Sequence, residues 1–254
     1  RLAHGKKALD MINEAEKNLA PIDCTHTATL TWATASKKKL LKMKVKIKDS
    51  LSNSNIDTIT TEFQEFNQML ETEKKIVITT VDQNHTLLSQ IQSQLSDTVQ
   101  LKDSTQPTAK QWHKKMQEAY QTLQTQLNES TQVCDIEAVK TQLTELNTTI
   151  QSEKALYIQI GKIDTQLLTY KTTHSTLSML FARATLSDID SLKNSIVNQL
   201  RTQLGLVETR CTLNDFDEKF RKFKGLVEGE PNDDQLDKLK AMASGLSSLS
   251  VAST

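Results

Sequence analysis

Turn-forming residues are scarce in this chain: its 254 residues include six glycines and three prolines. Sheets need frequent tight turns, which draw on Gly, Pro and Asn-Gly pairs, so the scarcity argues against strands and for long helices. Aromatic residues make up 4% of the chain and hydrophobic residues 37%. That suits narrow helical bundles, whose seams are one residue deep, better than a thick globular core. Net charge is missing as well. Thirty-one Lys and Arg offset thirty-one Asp and Glu, so no overall field draws nucleic acid or an anionic membrane, and any basic stretch must act locally. No apolar run approaches the roughly eighteen residues of a membrane span, and no signal-peptide pattern is present.

Motifs that carry chemistry are absent too. The sequence contains no GxSxG, GxGxxG, GxxxxGK[ST] or HExxH, and no carboxylate pair is set apart by its surroundings. This argues against an enzyme and against a bound cofactor. Cys24, Cys134 and Cys211 form an odd, widely spaced set without CxxC and read as reduced thiols of a reducing, cytoplasmic compartment. His4, His26, His85, His113 and His174 stand apart from one another and from the cysteines, without zinc-ligand spacing, so no metal is expected and the histidines are placed at the surface. Asn84, Asn128 and Asn147 head formal glycosylation triplets, which arise by chance in a chain this rich in Ser and Thr. The chain begins at Arg1 rather than Met, which suggests a piece of a longer protein.

What is present is a repeat. An offset of 80 residues lays Trp32, Leu40, Met43 and Ile47 on Trp112, Tyr120, Leu123 and Leu127, and a third copy gives Leu192, Leu200, Gln203 and Val207. A second pattern follows each: Ile56, Ile59, Phe63, Phe66 and Leu70 match Ile136, Val139, Leu143, Leu146 and Ile150, with Phe216, Phe223 and Leu226 at the next copy. Its spacing of three and four is the seam of helices packing side by side. Asn55, Asp135 and Asp215 precede the first seam residue of each copy, where a side-chain oxygen could cap the helix. Short helices are expected near 28–51, 108–131 and 188–210, and long ones near 55–103 and 135–183, with another beginning near 215. At 1.5 Å per residue a long helix of about 48 residues outruns a short one of about 24 by about 36 Å. Each long helix would then serve two successive three-helix bundles, and three stacked bundles would make a rod of roughly 110 Å.

Residues 1–24 read as an N-terminal neck or the tail of a preceding helix, ending before Pro21, and 25–212 as repeats. Residues 213–243 read either as a degenerate EF-hand-like helix–loop–helix or as the head of a further long helix that stops at Gly225. Residues 244–254 read as a flexible tail. In the EF-hand register the loop positions that need oxygen ligands hold Lys224, Leu226, Glu228 and Gln235, a set that should not bind calcium well.

The stretch "KKKLLKMKVKIKD" alternates Lys with Met, Val and Ile, a pattern of period two. On a helix Trp32, Leu40, Met43, Ile47 and Leu51 share one side, while Lys38, Lys42 and Lys46 gather on the other. The copy around Trp112 keeps the apolar spacing without the alternation, so a helix is expected here. Lys37, Lys38, Lys39, Lys42, Lys44, Lys46 and Lys48 form a solvated face balanced by Glu62, Glu65, Glu71 and Glu73, or else a contact for acidic lipid or an acidic partner.

The stretches "TLTWATASKKKLL", "SNSNIDTITTEFQEFNQML" and "STQPTAKQWHKKMQEAYQTL", with "TLSDIDSLKNSIVNQL" running into "LNDFDEKFRKFKG", resemble the rod of the α-actinin and spectrin-repeat family. The 80-residue period is shorter than a usual spectrin repeat, so the resemblance is to a short, divergent rod. It implies an all-α, elongated rod of tandem three-helix bundles in a cytoplasmic, cytoskeletal protein. Such a rod is a spacer that pairs antiparallel with a second copy and reaches actin through domains outside this chain. No catalytic or ligand residue carries over. The alternatives from other classes are a peripheral lipid-binding helical module using the Lys37–Lys48 face, and a helical surface spacer.

Overall fold

Apolar side chains recurring three and four residues apart can all be buried only if the backbone coils at 3.6 residues per turn. The structure, a computed structural model, describes residues 2–19, 26–50, 56–172, 183–228 and 233–251, and among these it contains eight α-helices and no strand. They are α1 (Leu2–Asn18), α2 (Thr27–Ser50), α3 (Ile56–Ser96), α4 (Pro107–Glu129), α5 (Val133–Thr172), α6 (Arg183–Leu204), α7 (Arg210–Val227) and α8 (Asp233–Val251), with a 3-10 turn over Val99–Asp103. Short α2 and α4 alternate with α3 and α5, of 41 and 40 residues, as the repeat predicts.

The chain divides into two units. The first takes residues 1–94 and 117–149. Within it α1 packs on α2, and α3 is tied to α1 where Asn67 donates to the Met11 carbonyl at 3.2 Å and Lys74 to the Asn18 carbonyl at 2.9 Å. The lysine thereby satisfies a carbonyl that the end of α1 leaves without a helical partner. Its core includes Met11, Ala15, Trp32, Leu40, Phe63, Phe66 and Leu70, with Val77, Val81, Leu88, Ile91, Tyr120, Leu123, Leu127, Ile136, Val139 and Leu143.

The second unit takes residues 95–116 and 150–254, and in it α6, α7 and α8 pack against one another. Its core includes Trp112, Met116, Ile160, Ile163, Leu167, Ile189, Ile196, Val197, Leu200 and the phenylalanines Phe216, Phe220 and Phe223. Gly161, in the middle of α5, looks out of place, since an interior glycine costs about 0.5–1 kcal/mol against alanine. A Cβ there would come within 2.9 Å of Leu101 Cδ2, so glycine is what lets the buried Leu101 close on α5.

The 80-residue register holds in three dimensions. Trp32, Leu40, Trp112, Tyr120, Leu123, Leu127, Leu200 and Val207 are buried, whereas Met43, Leu192 and Gln203 are half-buried. The Ile47 side chain and Leu51 lie outside the described residues. Several element ends differ from expectation. Asp135 and Asp215 fall inside α5 and α7 rather than capping them, because Val133 and Leu213 extend each helix backwards. The cap of α7 is Thr209, whose hydroxyl accepts from the Thr212 backbone N–H in a reciprocal capping box. Asn55, the third expected cap, lies outside the described residues.

Helix α3 stops at Ser96, where the buried Thr98 donates its hydroxyl to the Leu95 carbonyl at 2.8 Å. Helix α7 continues through Gly225 to Val227, so Lys224 and Leu226 are helical and do not open a calcium loop. The C-terminal stretch expected as a tail is helical through Val251.

Candidate functional site: the outward face of α2

Helix α2 turns Trp32, Ala33, Ser36 and Leu40 into the first unit's core. The indole N–H of Trp32 donates to Glu73 Oε2 at 3.1 Å, which fixes the rotation of the helix. With that side inward, the lysines must face out. Lys37, Lys38, Lys39, Lys42 and Lys46 are exposed and Lys44 is half-buried; the Lys48 side chain lies outside the described residues.

The four acids expected to balance this face do so only in part. Glu62 approaches Lys46 at 3.6 Å, but Glu73 is engaged by Trp32, and the acid on Lys44 is Glu16 of α1. Lys37, Lys38, Lys39 and Lys42 form no ion pair with a described residue. Among the lysines stand Leu41 and Val45, each 59% exposed. Sequence reasoning missed them, because it followed Leu40 and Met43 inward and treated the alternating residues as incidental.

Offsetting the polar residues by 80, as well as the apolar ones, reveals two further pairs. Trp112 donates to Glu153 Oε2 at 2.7 Å, the same 41-residue separation as Trp32 to Glu73. Its ring stacks on Tyr157 with centroids 4.8 Å apart, where the first copy has the buried Val77. Asn84 and Asp164 likewise occupy one repeat position, and both are buried. Asn84 donates to the Ile136 carbonyl at 3.0 Å, so this residue is spoken for as a core tie and is inaccessible to a glycosylating enzyme. Asp164 accepts from Arg201 Nε at 2.7 Å and from the Thr105 hydroxyl.

Two histidines expected at the surface are not there. His113 is buried, 2.9 Å from the Thr98 hydroxyl. That hydroxyl gives its proton to the Leu95 carbonyl, so it accepts from the ring nitrogen Nδ1, which carries a proton in one neutral tautomer and in the charged ring alike. His85 is half-buried and stacks on His26 with centroids 3.8 Å apart, while His26 approaches Asp82 at 3.3 Å.

The pKa values of His85 and His113 are both lowered, chiefly by burial, with His26 adding to the effect at His85 against Asp82, and Lys102 adding to it at His113. The unfolded chain therefore takes up these protons first, near pH 6.5. The stability held by the neutral rings is full above that pH and is lost as pH falls through it. The thermal midpoint should drop on acidification from about pH 7.5 to about pH 5.5, and His85→Gln with His113→Gln should flatten that drop. A midpoint equally steep in the double variant would assign the acid sensitivity elsewhere.

Among the described residues no three His, Cys, Asp or Glu side chains are grouped to hold a metal, Cys134 and Cys211 are exposed free thiols, and no helix is long and apolar enough to cross a membrane. No protein-family model, curated protein or solved structure matches this chain.

Proposed function

We propose that this chain is a structural spacer, a short rod of spectrin-like three-helix bundles that pairs with a second copy and sets the distance between actin-binding domains outside it. The single observation that carries this reading is the tryptophan–glutamate tie, repeated 80 residues apart with the same 41-residue reach. A duplicated polar anchor between a short and a long helix is what a tandem bundle of one design requires, and it adds to a shared apolar register. Long helices α3 and α5 support it further, because bending a continuous helix means giving up backbone hydrogen bonds. The function is then length, stiffness and a dimer face, with no catalytic step and no cofactor.

Sedimentation equilibrium with small-angle scattering tests it. The expected particle has twice the 28.6 kDa chain mass and the scattering profile of an extended body. A compact monomer at micromolar concentration would remove the crosslinking reading.

A further inference from the structure

Three exposed apolar side chains line the outward face of α2, and the packing of the helix does not account for them. Leu30 is 49% exposed, and Leu41 and Val45 are 59% exposed. At about 100° per residue these three fall within about 60° of one another, with Lys38, Lys42 and Lys46 on one flank and Lys37 and Lys44 on the other. From Thr27 to Lys48 the helix contains no Asp or Glu.

The repeat supplies an internal control. Helix α4 has Gln121 and Thr125 where α2 has Leu41 and Val45, and Gln117, Glu118, Thr122 and Gln126 where α2 has Lys37, Lys38, Lys42 and Lys46. Lys110 stands where α2 has Leu30, so the same helix of the repeat folds with a wholly polar face, without the apolar strip and without lysines at those four positions. Neither the leucine and valine nor the lysines are demanded by the bundle.

We propose that this face of α2 is a docking surface for an anionic lipid bilayer, with lysines meeting headgroup phosphates and Leu41 and Val45 entering the interface between them. The chemistry is that of an interfacial helix: a narrow apolar strip flanked by lysines whose long stems let the ammonium groups stay at headgroup level. The occupant is a bilayer because a flat, fluid surface needs no complementary groove. A stable protein interface would need about 800 Å² from this side, and the strip is one side chain wide over about 22 Å of helix. Attraction is local, since the chain as a whole has no net charge, and it acts within a Debye length of about 8 Å at physiological salt. Binding is therefore reversible and depends on both lipid charge and salt.

Co-sedimentation with vesicles tests the proposal on the whole chain. At about 0.1 M salt the protein should pellet with vesicles of phosphatidylcholine containing about 30% phosphatidylserine and stay in solution with phosphatidylcholine alone; about 0.5 M salt should release it. Lys38→Glu with Lys42→Glu should weaken binding by about tenfold or more. Leu41→Ser with Val45→Ser, which leaves every charge in place, should weaken it by about fivefold. Lys110→Glu with Lys115→Glu, the same charge change on α4, should leave it as it was. All of these side chains are exposed, and circular dichroism confirms that each variant folds.

Absence of pelleting with the anionic vesicles overturns the proposal. So does an equal loss in the α4 control, which would make the attraction nonspecific. Binding that polyglutamate competes away and that Leu41→Ser with Val45→Ser does not change would identify an acidic protein surface as the partner, and would equally overturn it.

Discussion

Replacing Trp112 with alanine should destabilise the protein by about 3–5 kcal/mol, the cost of emptying a buried aromatic site. The residue is 6% exposed, so the fold takes nearly all of its surface out of water. Its truncation also removes the stack on Tyr157, which contributes about 0.5–1.5 kcal/mol beyond burial. Glu153 adds little to the loss, because it is half-exposed and can turn to water once the indole is gone. Trp112→Phe separates the contributions. It keeps most of the ring, gives up the N–H donor, and should cost nearer about 1 kcal/mol plus a small cavity cost. Urea unfolding followed by far-ultraviolet circular dichroism provides the comparison, and an alanine variant losing under about 1 kcal/mol would mean the position is not core.

Asp164→Ala should be nearly as damaging, at about 2–4 kcal/mol. The carboxylate side chain is 1% exposed and holds Arg201, whose side chain is 24% exposed. Removing it leaves a mostly buried guanidinium without its counter-charge and the Thr105 hydroxyl without its acceptor. The partial exposure of Arg201 keeps the estimate below that for a fully enclosed pair. Asp164→Leu combined with Arg201→Met should recover to within about 1 kcal/mol of the parent, since an apolar pair of similar volume avoids the desolvation of both charges. The coupling measured across the cycle decides the matter: single and double changes that simply add would show that the pair contributes nothing beyond its separate side chains.

Much of the fold is legible in the sequence because burial acts on apolar side chains at fixed spacing. The 3–4 spacing of Phe63, Phe66 and Leu70, copied at Leu143, Leu146 and Ile150, is sufficient to place α3 and α5. Helix ends are less legible, since capping competes with burial: Leu213 is worth more to α7 inside the helix than Asp215 is as its cap. Polar ties are harder still. Glu73 counts in the sequence as one more acid opposite the lysines, and nothing in its neighbours says that an indole 41 residues back will claim it.

The face of α2 is half legible. Its charge is evident from the letters, whereas the exposure of Leu41 and Val45 depends on which way Trp32 turns the helix. The signal that could have found these features is the 80-residue offset applied to every residue type, because a duplicated glutamate, a duplicated buried polar site and an unduplicated apolar strip each stand out against it.

A chain containing the same seam more than once has a problem of address, since the apolar residues of one copy would fit the partners of another nearly as well. Asn84 and Asp164 answer it at one shared position. The amide of Asn84 offers a proton to the Ile136 carbonyl; a carboxylate placed there has no proton to offer and would face that carbonyl lone pair to lone pair. Exchanged the other way, an amide opposite Arg201 would leave a guanidinium short of its charge partner. Each copy thus has a lock that the other copy's key does not open, and correct helix partners are chosen by polarity where hydrophobicity cannot tell them apart.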